Sequence, residues 1–341
     1  MSAQDQSWQE ELATIWGPRI RWNEPMSQHT SLRIGGPAQA LLTVKGVEEL
    51  CQVVLWARGH GVQYYVIGGG TNLLVADAGL PGLVIVNRSR ACSLTQTAGG
   101  VTVTTEAGLR LATLAHQTAA AGWSGLEWAA SVPGTLGGAI VGNAGAFGRN
   151  IADSLLTVRI LDAEGQQRDL PTADLLLGYR TSCFKAESCS LQRQAIILSA
   201  ALTLVRGDRQ MIAQTMHEVS HLRRQMQPCD RPSAGSVFKN PARDYAGRLI
   251  EAVGLKGARV GDAQVSAKHA NFIVNLGAAT ANDVLSLIQL IRARVREQFQ
   301  QELTLEIECV GLAGSSPDCS RREECPENAA DIVQLKPSGK L

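Results

Sequence analysis

The chain has 341 residues, 45% hydrophobic and 18% charged, which suits two or three globular domains rather than one compact core. Its 32 Lys and Arg stand against 31 Asp and Glu, so a formal net charge of +1 gives no global attraction to nucleic acid or to an anionic membrane. No apolar run reaches the length of a membrane span, and Met1–Glu11 is polar and acidic without a signal-peptide core, so a cytoplasmic location is expected.

In the first segment, to about Val86, Leu50, Val53, Val54 and Ala57 recur on one face and predict a helix over Val47–Gly59. Strands are expected at Tyr64–Ile67 and Leu83–Val86. Around the first of them begins a glycine-rich stretch, Val66–Val75, reading V-I-G-G-G-T-N-L-L-V. The second segment, from Asn87 to Leu204, opens with the alternating run Gly100–Glu106, a half-buried strand. A helix over Leu109–Ala121 follows, then a second glycine-rich stretch, Ser131–Gly148, reading S-V-P-G-T-L-G-G-A-I-V-G-N-A-G-A-F-G. Strands at Leu156–Leu161 and Ala195–Leu204 flank a turn at Asp162–Gly165.

The third segment begins with a helix over Asp208–Met226. A further helix is expected over Ala281–Gln300, where Thr280 and Asp283 stand at capping-box spacing and Val284, Leu287, Ile288, Ile291 and Val295 repeat at helical intervals. A final strand, Leu303–Val310, would turn Glu306 and Glu308 to the same side. Ser315–Leu341 is polar and lacks periodicity, as expected of a disordered tail. The eight cysteines form no C-x-x-C pair and no zinc-spaced His/Cys cluster, so neither metal nor disulfides are expected.

The first glycine stretch is neither a P-loop, since no lysine follows, nor the dinucleotide G-x-G-x-x-G, since Leu73 replaces the third glycine. It offers the consecutive amides of Gly68, Gly69, Gly70 and Thr71, with the Thr71 and Asn72 side chains, as an anion nest. A tight turn explains it equally well. In the second stretch, Pro133 and Gly134 precede a short helix start. Gly137 and Gly138 would let a flat ring approach the backbone, and Asn143 and Gly145 extend the small-residue surface. Tight helix packing is the competing explanation there. Two such walls together favour a long phosphate-bearing cofactor.

Tyr179-Arg180 brings a permanent cation that can grip a carboxylate with two parallel bonds, although a surface ion pair is the commoner role. Ser236, in P-S-A-G-S-V-F-K-N-P, sits outside any G-x-S-x-G elbow, so a hydrolase nucleophile is not expected and an ordinary turn is the simpler explanation. Paired carboxylates such as Glu306 and Glu308 are usually solvated, and a buried one would point to an acid role. His269, beside apolar sequence, is more often structural than catalytic.

In order along the chain, these segments resemble the UDP-N-acetylenolpyruvoylglucosamine reductase (MurB) family of peptidoglycan synthesis. The matching pieces are H-T-S-L-R-I-G-G-P-A at His29–Ala38, I-G-G-G-T-N-L-L-V at Ile67–Val75, and V-P-G-T-L-G-G-A with G-N-A-G-A-F-G within 132–148. Y-R-T-S at Tyr179–Ser182 follows, then P-S-A-G-S-V-F-K-N-P, G-D-A-Q-V-S-A-K-H-A-N-F-I-V-N and a terminal L-x-x-E-I. The resemblance covers about residues 20 to 311.

It implies an α+β chain: an FAD-binding half of two α/β subdomains (1–86 and 87–206) like those of the vanillyl-alcohol-oxidase group, then an α+β substrate-binding domain (207–314) and a tail (315–341). It also implies FAD as cofactor, NADPH as reductant and UDP-GlcNAc-enolpyruvate as substrate. A monomer or weak homo-oligomer is expected. By resemblance, reduced flavin N5 delivers hydride to the β-carbon of the enol ether. Arg180 stabilises charge on the carboxylate, Glu306 is its acidic partner, and Ser236 protonates the α-carbon. Gly68–Asn72 and Pro133–Gly145 would hold FAD; Tyr179, Asn240, Arg223 or Arg224, Lys268 and His269 would meet substrate. One family subclass closes a tyrosine-bearing loop over the substrate; Thr181–Gly235 contains no tyrosine, which places this chain with the shorter subclass. Two other classes remain: an FAD-dependent oxidase of the same wider fold, and a non-catalytic nucleotide-sugar or flavin binder.

Overall fold

The computed structural model describes residues 3–185 and 195–312, with side chains from residue 7. The expected tail at 315–341 lies outside the described residues. Contacts divide the chain into two compact units. One holds Met1–Asn23, Gln39–Gly69 and Pro81–Arg223; the other holds Glu24–Ala38, Gly70–Leu80 and Arg224–Leu341. Residues 24–38 and 70–80 therefore group with the C-terminal part rather than with the N-terminal residues around them.

In the first unit the helix Val47–Gly59 buries Leu50, Cys51, Val53, Val54 and Ala57, the stripe its sequence displays. It packs on a four-stranded sheet ordered Arg21–Pro25, Pro37–Val44, Leu80–Asn87, Tyr64–Ile67. Tyr64–Ile67 runs parallel to Leu80–Asn87, with Tyr64 opposite Leu83 and Ile67 opposite Val86. Trp8 and Leu12 of the helix Ala3–Trp16, which lacks a clear apolar stripe, are buried in the same core.

A larger antiparallel sheet follows, ordered Gln167–Pro171, Leu155–Leu161, Ile196–Arg206, Gly100–Glu106, Cys92–Thr97. Alternation decides its two faces, and a register shift between Leu155–Leu161 and Ile196–Arg206, at Arg159/Ile160 opposite Ser199/Ile197, exchanges them along the strand. Leu161 and Leu198 join the core built on Leu50, whereas Val158, Ile160, Ala200 and Leu202 join a second core with Leu111 and Leu114 of the helix Leu111–Ala120. Apolar side chains on both faces let one sheet serve two cores.

The second unit carries the antiparallel sheet Ser233–Ser236, Phe272–Asn275, Ala263–Val265, Arg259–Val260. The helix Ala281–Phe299 covers one face, burying Val284, Leu287, Ile288, Ile291 and Val295. Its N-terminus has the expected capping box: Thr280 accepts from Asp283 N, and the Asp283 carboxylate accepts from Thr280 N. The Asp77 carboxylate adds bonds from Ala281 N at 2.8 Å and Asn282 N at 3.1 Å, satisfying two more of the amides a helix start leaves open.

The final strand is shorter than its alternation predicts. Only Glu308–Val310 forms it, parallel to Leu73–Val75, while Leu305 makes an isolated bridge to Phe238. Glu306 N donates to Val237 O, and two residues later Glu308 N donates to Asn72 O. The pairing partner changes within that step, so no continuous ladder forms. Glu306 and Glu308 consequently do not share one strand face: Glu306 is half-buried and Glu308 exposed.

Candidate active site

The two glycine stretches meet in the first unit. Gly68 lies against Thr135, close enough that a Cβ on Gly68 would stand 2.1 Å from Thr135 Oγ1. Thr135 in turn caps the short helix Leu136–Val141, accepting from Gly138 N. Gly137 packs on Ala107, where an added Cβ would come within 3.1 Å of the Ala107 Cβ, and one on Gly145 would reach 2.5 Å from Arg149 O. Gly68 and Gly145 are required by the protein's own packing, and Gly137 sits in a tight contact with Ala107. Gly138 differs: it is exposed, and its nearest neighbour would be Thr135 Oγ1 at 3.7 Å, an ordinary contact.

Beside this surface lie buried polar atoms that need a partner. Ser131 Oγ and Asn143 Oδ1 have no hydrogen-bond partner among the described residues. The Asn143 amide spends its other end on Gly178 O at 2.9 Å, and its backbone takes φ +40°. Leaving such atoms buried and unbonded costs on the order of 1–3 kcal/mol each, so their presence fits a polar ligand that completes them. An open glycine surface with unsatisfied polar atoms beside it can take a flat ligand with a polar edge.

Arg180 is held against the same wall. Its Nη2 donates to Gly145 O at 3.0 Å, and its guanidinium lies 5.7 Å from the Tyr179 ring centre. Its backbone has φ +54°, a left-handed conformation that costs a non-glycine residue about 1 kcal/mol or more and tends to occur where function requires it. Bridge pairing of Gly178 with Thr181 and the bond from Ser182 Oγ to Val141 O at 2.7 Å fix this turn from both sides. Tyr179 itself is exposed, and Cys183 beside it is fully buried in the core.

In the second unit the remaining part of the first glycine stretch is tied to Ser236 and Glu306. Gly70 takes φ +62°, and a Cβ there would stand 1.9 Å from His29 O, so only glycine fits. Ser31 N donates to Gly70 O at 3.0 Å, and Ser31 Oγ donates to Ser233 O at 2.7 Å, joining the loop to the strand that ends at Ser236. Asn72 Nδ2 donates to Glu306 O at 3.0 Å. Glu306 N bonds Val237 O at 2.8 Å, which places the Glu306 backbone against the residue after Ser236. Ser236 is half-buried, opposite Phe272.

The other substrate candidates separate. Arg224 and Lys268 line a cavity of about 610 Å³ with Arg231, Gln264, Ser266 and Cys229, and Arg223 is not among the lining residues. Lys268 Nζ also donates to Arg224 O. Asn240 Oδ1 accepts from Ala246 N at 3.1 Å and so holds the start of the helix Ala246–Ala252. His269 stands edge-on to Phe272 at 4.9 Å, and its Nδ1 accepts from Asn271 N. Burial pushes its pKa below the usual 6.5. Packing explains His269 without a catalytic role. No group of three metal-binding side chains occurs among the described residues.

Residues 227–310 match the family model for the UDP-N-acetylenolpyruvoylglucosamine reductase C-terminal domain, and residues 38–171 match an FAD binding domain. A UDP-N-acetylenolpyruvoylglucosamine reductase of Symbiobacterium thermophilum is 42% identical over 293 residues, covering 86% of this chain and 92% of the relative. The chain belongs to the UDP-N-acetylenolpyruvoylglucosamine reductase family. A Bacillus pumilus reductase of that family is 39% identical over 86% of this chain and 94% of its own length. The solved MurB structure from Thermus caldophilus superposes with a TM-score of 0.69 at 39% identity, covering 84% of this chain and 97% of that one. The reductase family accounts for the α+β fold and for an FAD-binding domain in the half that holds both glycine walls. Ser31 and Thr135, which tie each wall to its support, carry no signal of their own.

Proposed function

We propose that this protein is an NADPH-dependent flavoenzyme that reduces the enolpyruvyl ether of UDP-GlcNAc-enolpyruvate to UDP-N-acetylmuramate, in the cytoplasm, for peptidoglycan precursor synthesis. The observation that carries the proposal is Arg180, held in a left-handed turn with its guanidinium on the second glycine wall, in a chain of this reductase family. Bound FAD, reduced by NADPH, supplies the hydride equivalent that the β-carbon accepts. Ser131, Asn143 and the open face of Gly138 would hold the flavin, with Gly68, Gly69, Gly70, Thr71, Asn72, Pro133, Gly134, Gly137 and Gly145 shaping the surround.

Addition at the β-carbon leaves negative charge on the α-carbon and its carboxylate. A preformed cation aimed there lowers the transition state more than the ground state, which is the role of Arg180, with Glu306 orienting the carboxylate. The α-carbanion is a strong base, so the weakly acidic Ser236 hydroxyl suffices to protonate it. One C–H bond forms at each carbon and the double bond is consumed. Arg224 and Lys268, in a cavity with a third cation, Arg231, suit the substrate diphosphate; Tyr179, Asn240, Arg223 and His269 remain assigned to substrate by resemblance. The partition into FAD subdomains 1–86 and 87–206 and a substrate domain 207–314 belongs to the same proposal.

The test is the visible spectrum of the anaerobic protein through sequential addition of NADPH and the enol ether. Bleaching by NADPH and recovery with the enol ether is the expected course. In Ser236→Ala, bleaching should persist and product formation stop. Product at the normal rate would remove Ser236 from the mechanism. Recovery only with oxygen would favour the oxidase class, and no flavin spectrum after adding FAD would favour a non-catalytic binder.

A further inference from the structure

Two arginines outside both glycine walls are carried by loops that meet the walls where these touch. Arg88 follows the strand Leu80–Asn87, is half-buried, and donates from Nη1 to Gly68 O at 3.0 Å. Arg110 precedes the helix Leu111–Ala120 and pairs through its backbone with Thr135, the residue on which Gly68 rests. The loops that carry them are in contact: a Cβ on Gly108 would lie 2.6 Å from both Ser89 N and Ser89 O, and Gly108 N donates to Ser89 Oγ. Gly137 N bonds Ala107 O and Leu111 N bonds Gly134 O, which fastens the Arg110 loop to the second wall.

Neither guanidinium has a carboxylate partner among the described residues. Burial and then the charge of Arg110 push the Arg88 pKa down, the sign of a cation short of an anion. A half-buried cation on a loop packed against another arginine's loop is costly unless a negative group lies with it. Arginine's planar fork suits a phosphate, which it can grip with paired bonds.

We propose that Arg88 and Arg110 form a two-guanidinium clamp for a phosphate of a bound dinucleotide. The inference rests on the flavoenzyme reading above and deepens it. It adds side-chain cations to a site that otherwise offers main-chain amides. The phosphate has two possible sources: the pyrophosphate of FAD, or the 2′-phosphate by which NADPH differs from NADH.

The experiment compares wild type, Arg88→Gln, Arg110→Gln and, as a charge control, the exposed Arg90→Gln. Apoprotein is titrated with FAD by flavin fluorescence at low and high salt, and flavin reduction is timed with NADPH and with NADH. If FAD is the source, Arg88→Gln and Arg110→Gln each weaken FAD binding about tenfold or more and flatten its salt dependence. If NADPH is the source, FAD binding holds and the preference for NADPH over NADH falls by about the same factor. In both cases Arg90→Gln stays within about twofold of wild type. Arg110 is exposed, so its variant keeps the fold and carries the test even if Arg88→Gln lowers the melting temperature. Unchanged FAD binding and unchanged cosubstrate preference in both clamp variants overturn the inference alone, as does an equal loss in Arg90→Gln. A wild-type protein that binds no FAD overturns the flavin reading and the clamp with it.

Discussion

Replacing Gly68 with alanine and replacing Gly138 with alanine should move stability in opposite directions, although both glycines stand in motifs of the same appearance. At Gly68 the new methyl would sit 2.1 Å from Thr135 Oγ1 and 3.0 Å from its Cγ2, well inside contact distance. Thr135 has a β-branched side chain capping the helix Leu136–Val141, so it cannot turn away without losing that cap. Overpacking of this kind costs about 1–3 kcal/mol, and loss of an N-cap about 1 kcal/mol. A total of about 2–4 kcal/mol corresponds to a melting-temperature drop of about 5–15 °C for a unit of this size. Gly138 has only an ordinary 3.7 Å contact to accommodate, and it lies in a helix. Alanine there should stabilise by about 0.5–1 kcal/mol while weakening FAD binding, because its methyl stands on the exposed face. Thermal unfolding of the apoprotein followed by circular dichroism, together with an FAD titration, measures both effects. The double variant Gly68→Ala, Thr135→Ala should recover part of the loss. A Gly68→Ala protein that melts with wild type would refute the claim that the first glycine wall is a packing surface at this point.

Asn143→Ala removes a bond to Gly178 O and an unpartnered acceptor together, so stability should fall by only about 1 kcal/mol while FAD retention on gel filtration falls further. A stability loss with unchanged flavin retention would assign Asn143 to structure alone. His269 has its pKa lowered by burial from 6.5, so the unfolded chain binds the extra proton first. Stability should therefore decline as pH falls below about 6.5, until the folded-state value is passed, and His269→Gln should flatten that part of a urea-midpoint profile against pH. Asp77→Ala leaves Ala281 N and Asn282 N without their carboxylate and should destabilise the second unit by about 1–3 kcal/mol in urea titrations, with the FAD titration of the apoprotein unchanged.

What the sequence displayed was apolar periodicity and motif order. The helix Val47–Gly59 and the strand Gly100–Glu106 have the bounds their patterns predict, because each buries one clear stripe or face. Tyr64–Ile67 also has its expected bounds, set by the parallel ladder with Leu80–Asn87 rather than by a buried face. The strands Arg21–Pro25, Cys92–Thr97 and Gln167–Pro171 escaped notice because they are mostly exposed, and a ladder with a neighbour, rather than an apolar pattern, makes them strands. The last strand failed for the opposite reason: its alternation is real, but two different partners divide it.

Eight motif pieces in the family's order pointed to the reductase family from sequence alone, since motif order depends on nothing but the chain. Which glycine supports the fold and which leaves room for a ligand required tertiary structure. Gly68 and Gly138 are indistinguishable until Thr135, 67 positions from one and three from the other, is placed between them. The same holds for Arg88 and Arg110, whose loops are separated in sequence and whose charges acquire meaning only on the contact between the walls. Sequence determines the chemistry each residue can offer, whereas burial and proximity, which arise only when distant segments pack, decide where that chemistry can be used.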